Sequence, residues 1–236
     1  MAHYIFIHGG WRNSDCWKNI LTLMEKRDAS ASAIDLPGHG KNKADFNDVT
    51  LKSYVDTVVA EANKYEDVIL VGHSMGGIVI SEVVERIPKK IKKLIFISAI
   101  IPKNGHSLIG RTRTFSQEGI KPYMIFNFEE SYIDLKKGQA LRDLFMNDCD
   151  EIDIEKDEKT WELQPMKPFS DKVHIGKGFR EVPKLYVKCT LDKCILKEDQ
   201  NKMAVESGCS IVELKSGHSP YLSSPKELSK TILKIS

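Results

Sequence analysis

One serine in this sequence stands where a hydroxyl can be made reactive. Ser74 lies in Gly72-His73-Ser74-Met75-Gly76-Gly77, after the apolar run Val68-Ile69-Leu70-Val71 and before a helical pattern. The string G-x-S-x-G is weak evidence alone; set between a strand and a helix it is a nucleophile elbow. Such a sharp turn lifts the hydroxyl above the sheet, and Gly72 and Gly76 lack the side chains that would collide there. The helix start adds positive partial charge for an anion forming beside Ser74.

A serine hydroxyl needs a base to take its proton. The chain holds His3, His8, His39, His73, His106, His174 and His218. In folds built on this elbow the acid and then the base follow the serine. His106 and His174 fall in a stretch without clean strands. His218 sits just past the last strand, at the sheet edge where ligands bind, with Gly217 before it to permit a tight loop. His218 is therefore the candidate base.

The base needs a carboxylate to fix its tautomer and stabilise the imidazolium. The fourth strand ends in Ser98-Ala99, which offers none. The fifth ends in Thr190-Leu191-Asp192, so Asp192 is the candidate acid. Asp199 is the alternative, but its helical position reads as a solvated charge. An acyl-transfer oxyanion also needs backbone donors. Met75 N–H follows the nucleophile, and Gly10 N–H is the second choice, in the loop His8-Gly9-Gly10-Trp11. His8 reads as a brace for that loop, and His73 as turned away from the hydroxyl.

These groups require a sheet to hold them. Near-continuous apolar runs predict strands at Tyr4–His8, Ser32–Leu36, Val68–Gly72, Lys93–Ser98, Lys184–Thr190 and Ser210–Leu214, as parallel strands buried on both faces should read. Helical patterns fall between them, near Trp17–Lys26, Leu51–Tyr65, Met75–Arg86, Lys197–Glu206 and Pro225–Ile235. Val55, Val58, Val59 and Ala62 share one helix face. The alternation predicts an α/β fold with a mostly parallel six-stranded sheet and helices on both faces. It breaks between Pro102 and Val182, where aromatics, prolines and charge runs replace clean strands and Glu151–Glu162 reads as an exposed charged helix. The expected organisation is a core of residues 1–101 and 183–236, with residues 102–182 inserted as a cap.

The 236 residues suit one domain, and 41% hydrophobic with 29% charged residues is ordinary globular composition. A net charge of +2 gives no footprint for nucleic acid or an acidic membrane. No apolar run reaches membrane length, and Tyr4-Ile5-Phe6-Ile7 is too short for a signal core. The five cysteines (Cys16, Cys149, Cys189, Cys194, Cys209) form no CxxC pair or zinc spacing and read as reduced thiols of a cytoplasmic protein. Asp35-Leu36-Pro37-Gly38-His39-Gly40 is a turn without enough ligands for a metal. No HExxH, P-loop or dinucleotide fingerprint occurs, so no cofactor is expected. The sequence leaves monomer and homodimer both open.

These motifs together resemble one family along nearly the whole chain. His8-Gly9-Gly10-Trp11, Asp35 to Gly40, Gly72 to Gly77, Cys189-Thr-Leu-Asp192-Lys193, and Gly217-His218 through Leu222-Ser-Ser-Pro225 look like the methylesterase and hydroxynitrile lyase branch of the α/β-hydrolases. Leu144-Phe-Met-Asn-Asp-Cys149 and Gln164-Pro-Met-Lys-Pro168 resemble its bacterial members. The resemblance implies an α/β-hydrolase fold and a serine esterase acting on a small carboxylic ester through Ser74. A cyanohydrin lyase and a non-catalytic ligand receptor are the alternatives. The branch's lyases carry threonine where this chain has Gly9 and lysine where it has Ser219. Gly9, Trp11, Phe126, Trp161 and Ser219 are the residues expected to touch substrate.

Overall fold

The predicted strands form one sheet because their side chains have nowhere apolar to go except against both of its faces. In the computed structural model, which describes residues 2–117 and 119–234, the order is β2-β1-β3-β4-β8-β9. The strands are β1 (His3–Ile7), β2 (Ala31–Ile34), β3 (Val68–His73), β4 (Ile91–Ile97), β8 (Lys184–Cys189) and β9 (Ser210–Leu214). All five pairings are parallel. The central β1 and β3 are buried at every position, whereas the edge strands β2 and β9 are largely half-exposed or exposed. Only the centre of a doubly covered sheet loses all contact with water.

Three helices show how local sequence sets the layers. In α1 (Lys18–Glu25), Ile20 and Met24 turn inward. The second, α2 (Leu51–Ala62), starts with a reciprocal capping box between Thr50 and Ser53 and buries Leu51, Tyr54, Val55, Val58 and Ala62 along one face. The third, α3 (Gly76–Arg86), leaves the elbow and is buried over most of its length. Apolar clusters fill both sides of the sheet: α1 and the C-terminal helix Pro225–Lys234 on one, α2, α3 and the insertion on the other. The predicted end of that last helix, Ile235, lies outside the described residues.

The insertion departs from the sequence reading. It holds a three-stranded antiparallel sheet, β5 (Met124–Asn127), β6 (Tyr132–Leu135) and β7 (Gln164–Pro165). Its strands carry no long apolar signal, because β5 is half-exposed or exposed along its length and β7 has two residues. The charged helix runs over Glu151–Glu158 and is not wholly solvated, since Ile154 and Asp157 are buried. Leu141, Phe145, Met146, Trp161 and Phe169 share one apolar cluster with α2 and α3. The insertion therefore packs as part of the main core.

Candidate active site

Parallel pairing aligns the carboxyl ends of β1, β3, β4, β8 and β9 along one edge. Ile7 stands opposite Gly72, and Cys189 opposite Leu214. The segments leaving these ends carry Gly10, Ser74, Ser98, Asp192 and His218.

Ser74 is held at φ +50°, a left-handed conformation that costs a non-glycine residue energy. Its carbonyl accepts from Gly77 N–H at 3.1 Å and Ile100 N–H at 3.0 Å, which pins the turn. A Cβ at Gly72 would sit 2.7 Å from the Gly76 carbonyl oxygen, and one at Gly76 2.8 Å from that of Ile7. The elbow thus presses backbone on backbone, and only glycine fits.

The three candidate catalytic side chains meet. Ser74 Oγ lies 3.1 Å from His218 Nε2, and His218 Nδ1 lies 2.8 Å from Asp192 Oδ2. This spacing assigns the tautomer in which Nδ1–H donates to the carboxylate and Nε2 faces the hydroxyl. His218 and Asp192 are buried, while Ser74 keeps some exposure. The Asp192 carboxylate also accepts from Cys194 N–H at 2.7 Å, Ile195 N–H at 2.9 Å, Gln200 Nε2 at 3.2 Å and the Ser98 hydroxyl. A buried carboxylate needs its lone pairs filled in this way.

Ser98 is a site residue that sequence reasoning passed over because it brings no charge. Its hydroxyl donates to Asp192 and lies 3.3 Å from His218 Nδ1, from a backbone at φ +42°. Its place at the end of a central strand, next to the strand carrying the acid, was the available signal. Asp199 needs a correction. It is buried, and its carboxylate accepts from Ser116 N–H at 3.1 Å and Ser116 Oγ at 2.8 Å, so it ties down the insertion and is not a solvated charge.

Gly10 and Met75 line the same cavity as Ser74. The loop before them is braced. His8 Nδ1–H donates to the Gly9 carbonyl at 2.8 Å, and its Nε2 accepts from Leu36 N–H at 3.2 Å. Burial pushes the His8 imidazole down to about 4, which keeps it neutral for both bonds. Trp11 has φ +58°, and its N–H donates to Gln164 Oε1 at 3.3 Å. Gln164 thereby takes up the Trp11 donor, whereas Gly10 N–H and Met75 N–H have no protein acceptor among the described residues. His73 Nε2 donates to the His218 carbonyl at 2.8 Å, away from the Ser74 hydroxyl. Burial and the neighbouring His218 hold His73 well below the usual histidine value.

Above Ser74 opens an apolar cavity of about 360 Å³. Trp11 and Phe126 line it, with Phe115, Phe145, Phe169 and Ile195. Gly9 lies behind the elbow instead, where a Cβ would come within 2.9 Å of Ser74 Cβ and of His73 Nδ1. Two other expected contacts lie outside this lining. Trp161 is outside the lining: its Nε1–H donates to Asp157 Oδ2 at 2.8 Å and its ring stacks 5.0 Å from the Arg12 guanidinium. Ser219 is buried beneath Tyr221, whose hydroxyl donates to it at 3.4 Å. Trp161 is expected there as an aromatic of the insertion and Ser219 from the resemblance; packing places both beside the lining instead of in it.

Arg12 joins this edge to the insertion. It is buried and binds Asp157 through two nitrogens at 2.6 and 2.8 Å. Paired burial is the condition under which a guanidinium is tolerated inside a protein. Asp35 braces the neighbouring turn by accepting from Ser14 N–H at 2.7 Å and Lys41 N–H at 2.9 Å. No group of three or more His, Cys, Asp or Glu side chains able to hold a metal ion occurs among the described residues. No helix among them is long and apolar enough to cross a membrane.

Comparison with known proteins agrees with this architecture. A chloroplastic Arabidopsis thaliana protein that carries a methylesterase name is 30% identical over 98% of this chain and 71% of its own length. Another such protein is 28% identical over 99% of this chain, which spans 56% of that protein's length. The crystal structure of a pyrethroid hydrolase from Sphingobium faniae JZ-2 superposes with a TM-score of 0.87 at 25% identity, covering 99% of this chain and 96% of that one. The model of the alpha/beta hydrolase family matches residues 4–231. The chain belongs to the alpha/beta hydrolase family, in its methylesterase-like branch.

Proposed function

We propose that the protein is a serine carboxylesterase that cleaves small, uncharged, apolar carboxylic esters through an acyl-enzyme on Ser74. The observation that carries this reading is the 3.1 Å approach of Ser74 Oγ to His218 Nε2 beside the apolar cavity. His218 takes the Ser74 proton as Oγ attacks the ester carbonyl carbon. The carbonyl oxygen becomes an oxyanion that accepts from Gly10 N–H and Met75 N–H. Asp192 stabilises the imidazolium without taking its proton. As the tetrahedral intermediate collapses, the C–O bond to the alcohol breaks and His218 protonates the leaving oxygen. Water then attacks the acyl-enzyme, giving up its proton to His218, which returns it to Ser74. No step in this cycle calls for a metal or an organic cofactor.

The cavity of about 360 Å³ equals the bulk share of about a dozen waters. Its apolar walls suit an aliphatic or aromatic ester. Residues 102–182 act as a cap that supplies most of those walls. The relatives' names, methylesterase and pyrethroid hydrolase, point the same way. A cyanohydrin lyase would need a cation for the leaving cyanide, whereas Ser219 is uncharged and covered by Tyr221.

The test is a panel of p-nitrophenyl and methyl esters of graded acyl length, with mandelonitrile alongside. Ester turnover is expected, and Ser74→Ala should lose it by about four powers of ten or more. Cyanide release without ester turnover would overturn the reading. So would retention of more than about a hundredth of the activity in Ser74→Ala.

A further inference from the structure

The motif Leu144-Phe-Met-Asn-Asp-Cys149 in the insertion supplies no group to the reaction above. Its side chains nevertheless reach both loops that carry the base and the acid. Asp148 Oδ2 accepts from Gly217 N–H at 2.6 Å and from Ser216 Oγ at 3.2 Å, immediately before His218. Asn147 Nδ2 donates to the Leu191 carbonyl at 3.0 Å, immediately before Asp192. Phe145 meets the His218 ring edge-on at 5.2 Å.

We propose that Asp148, with Asn147 beside it, is a positioning residue that sets the His218 imidazole between Ser74 and Asp192 by clamping the two loops together. This rests on the esterase reading of Ser74 and His218.

The loop after β9 has no ladder to fix it, so its backbone must be held by other means. Two bonds do so on either side of the base. Asp148 takes the N–H ahead of His218, and His73 Nε2–H takes the His218 carbonyl at 2.8 Å. A carboxylate acceptor makes the first of these charge-assisted, hence shorter and stronger than a neutral bond. The acid loop is tied to the same frame, because Leu191 N–H donates to the Ser216 carbonyl at 3.0 Å. One dipeptide thus fixes both ends of the 2.8 Å contact between His218 and Asp192. The approach is so close that a Cβ at Gly217 would collide with Asp148 Oδ1 and lie 2.9 Å from Asn147 Oδ1. Those two oxygens are buried and find no donor among the described residues. Buried acceptors left unfilled are costly, and here that cost accompanies a tight grip on the catalytic loops.

The experiment compares wild type, Asp148→Ala, Asp148→Asn and Ser74→Ala on one p-nitrophenyl ester. Rates of wild type and the Asp148 variants are counted per active site by fluorophosphonate titration, so that loss of folded enzyme does not enter; Ser74→Ala, which has no hydroxyl to label, is counted per folded protein by circular dichroism. Displacing a catalytic group by about an ångström costs about a hundredfold. Asp148→Ala should therefore lower kcat per site about a hundredfold, with KM within about threefold of wild type. Asp148→Asn keeps an oxygen for Gly217 N–H and should recover about tenfold of that loss. If Asp148→Ala kept kcat within about threefold, or Asp148→Asn recovered nothing, the clamp would be refuted. Should the alanine variant not fold, Asp148→Asn decides alone: kcat about tenfold down at unchanged KM supports the clamp, and unchanged kcat refutes it. Ser74→Ala separates the two levels. Activity surviving in it sinks the esterase reading, whereas activity lost in it but intact in Asp148→Ala sinks the clamp alone.

Discussion

The sheet edge and the insertion divide the labour of this molecule unequally. In the reading above, every reacting group leaves the end of a strand: Gly10 after β1, Ser74 after β3, Asp192 after β8 and His218 after β9. The insertion offers walls and grips: Gln164 on the Trp11 N–H, Asp157 on Arg12, Asp148 on Gly217. Ladder hydrogen bonds fix backbone to within what chemistry needs, so reactive groups belong where ladders end. Polar side chains from an insertion adjust such groups without replacing them.

The sharpest way to break this division is to change two carboxylates of the core segment, one that faces the base and one that ties down the insertion. Asp192→Asn should cost about a thousandfold or more in kcat, because asparagine favours the wrong imidazole tautomer. Its amide nitrogen would also face donors that now point at the carboxylate, from Cys194, Ile195 and Gln200. Asp199→Asn weakens bonds to Ser116 only. It should leave kcat within about threefold while lowering stability by about 1–2 kcal/mol in urea unfolding. If Asp199→Asn proved the more damaging to turnover, the acid would be misassigned.

Two aromatic residues of the insertion make the next comparison. Trp161 is buried against Arg12 and Phe145, whereas Phe126 is 44% exposed and lines the cavity. Trp161→Ala should destabilise by about 3–5 kcal/mol. Phe126→Ala should barely move the melting temperature and should shift the acyl-length preference. The reverse pattern would show that the cavity has been outlined wrongly.

Gln164→Leu tests the grip on the oxyanion loop. It frees the Trp11 N–H and should lower kcat about tenfold, less than the hundredfold or more lost with a direct oxyanion donor. KM and the rate of fluorophosphonate labelling, measured together, check it. A change confined to KM would place Gln164 in substrate binding instead.

The smallest effect is on acid stability. Burial holds His8, His39 and His73 below the ordinary histidine value of about 6.5, His8 at about 4. The unfolded chain binds these protons near pH 6.5 and the folded chain does not. Their contribution is therefore complete above about pH 6.5 and is lost as pH falls below it, for His8 down to about 4. Each should add a slope of about 1.4 kcal/mol per pH unit within that window. Urea midpoints measured between about pH 7.5 and 5 should fall, and His39→Gln should flatten the decline by about a third. A midpoint independent of pH below 6.5 would contradict the assignment.

The six core strands were readable because burial on both faces forces continuous apolar runs, and the elbow because its glycines flank a serine at a strand end. Strand ends were off by a residue or two: Leu36 and Thr190 continue the apolar or β-branched run after the ladder has stopped, and nothing in side-chain type sets His8 or Ser98 outside it. The small sheet was not readable: β7 contains Pro165 and takes its strand form from its partner β6. Nor could Arg12 be matched with Asp157 across the chain, because charge carries no address in sequence. Asp199 was misjudged for a related reason. An acid in the first turn of Lys197–Glu206 suits the helix dipole whether solvated or buried, and only the approach of Ser116 decides which.

The strand order also bears on how the molecule comes into being. β4 finds its neighbour β8 only after residues 98–183 have been looped out. The entropy of closing so long a loop grows only with the logarithm of its length, but pairing at such separation slows folding. During synthesis the elbow, α3 and β4 can assemble while the remainder is still unmade. Asp192 and His218 are translated last of the proposed catalytic set, after the dipeptide that holds their loops. On the esterase reading, a nascent chain carries its nucleophile idle, and reactivity arrives only with the final strand.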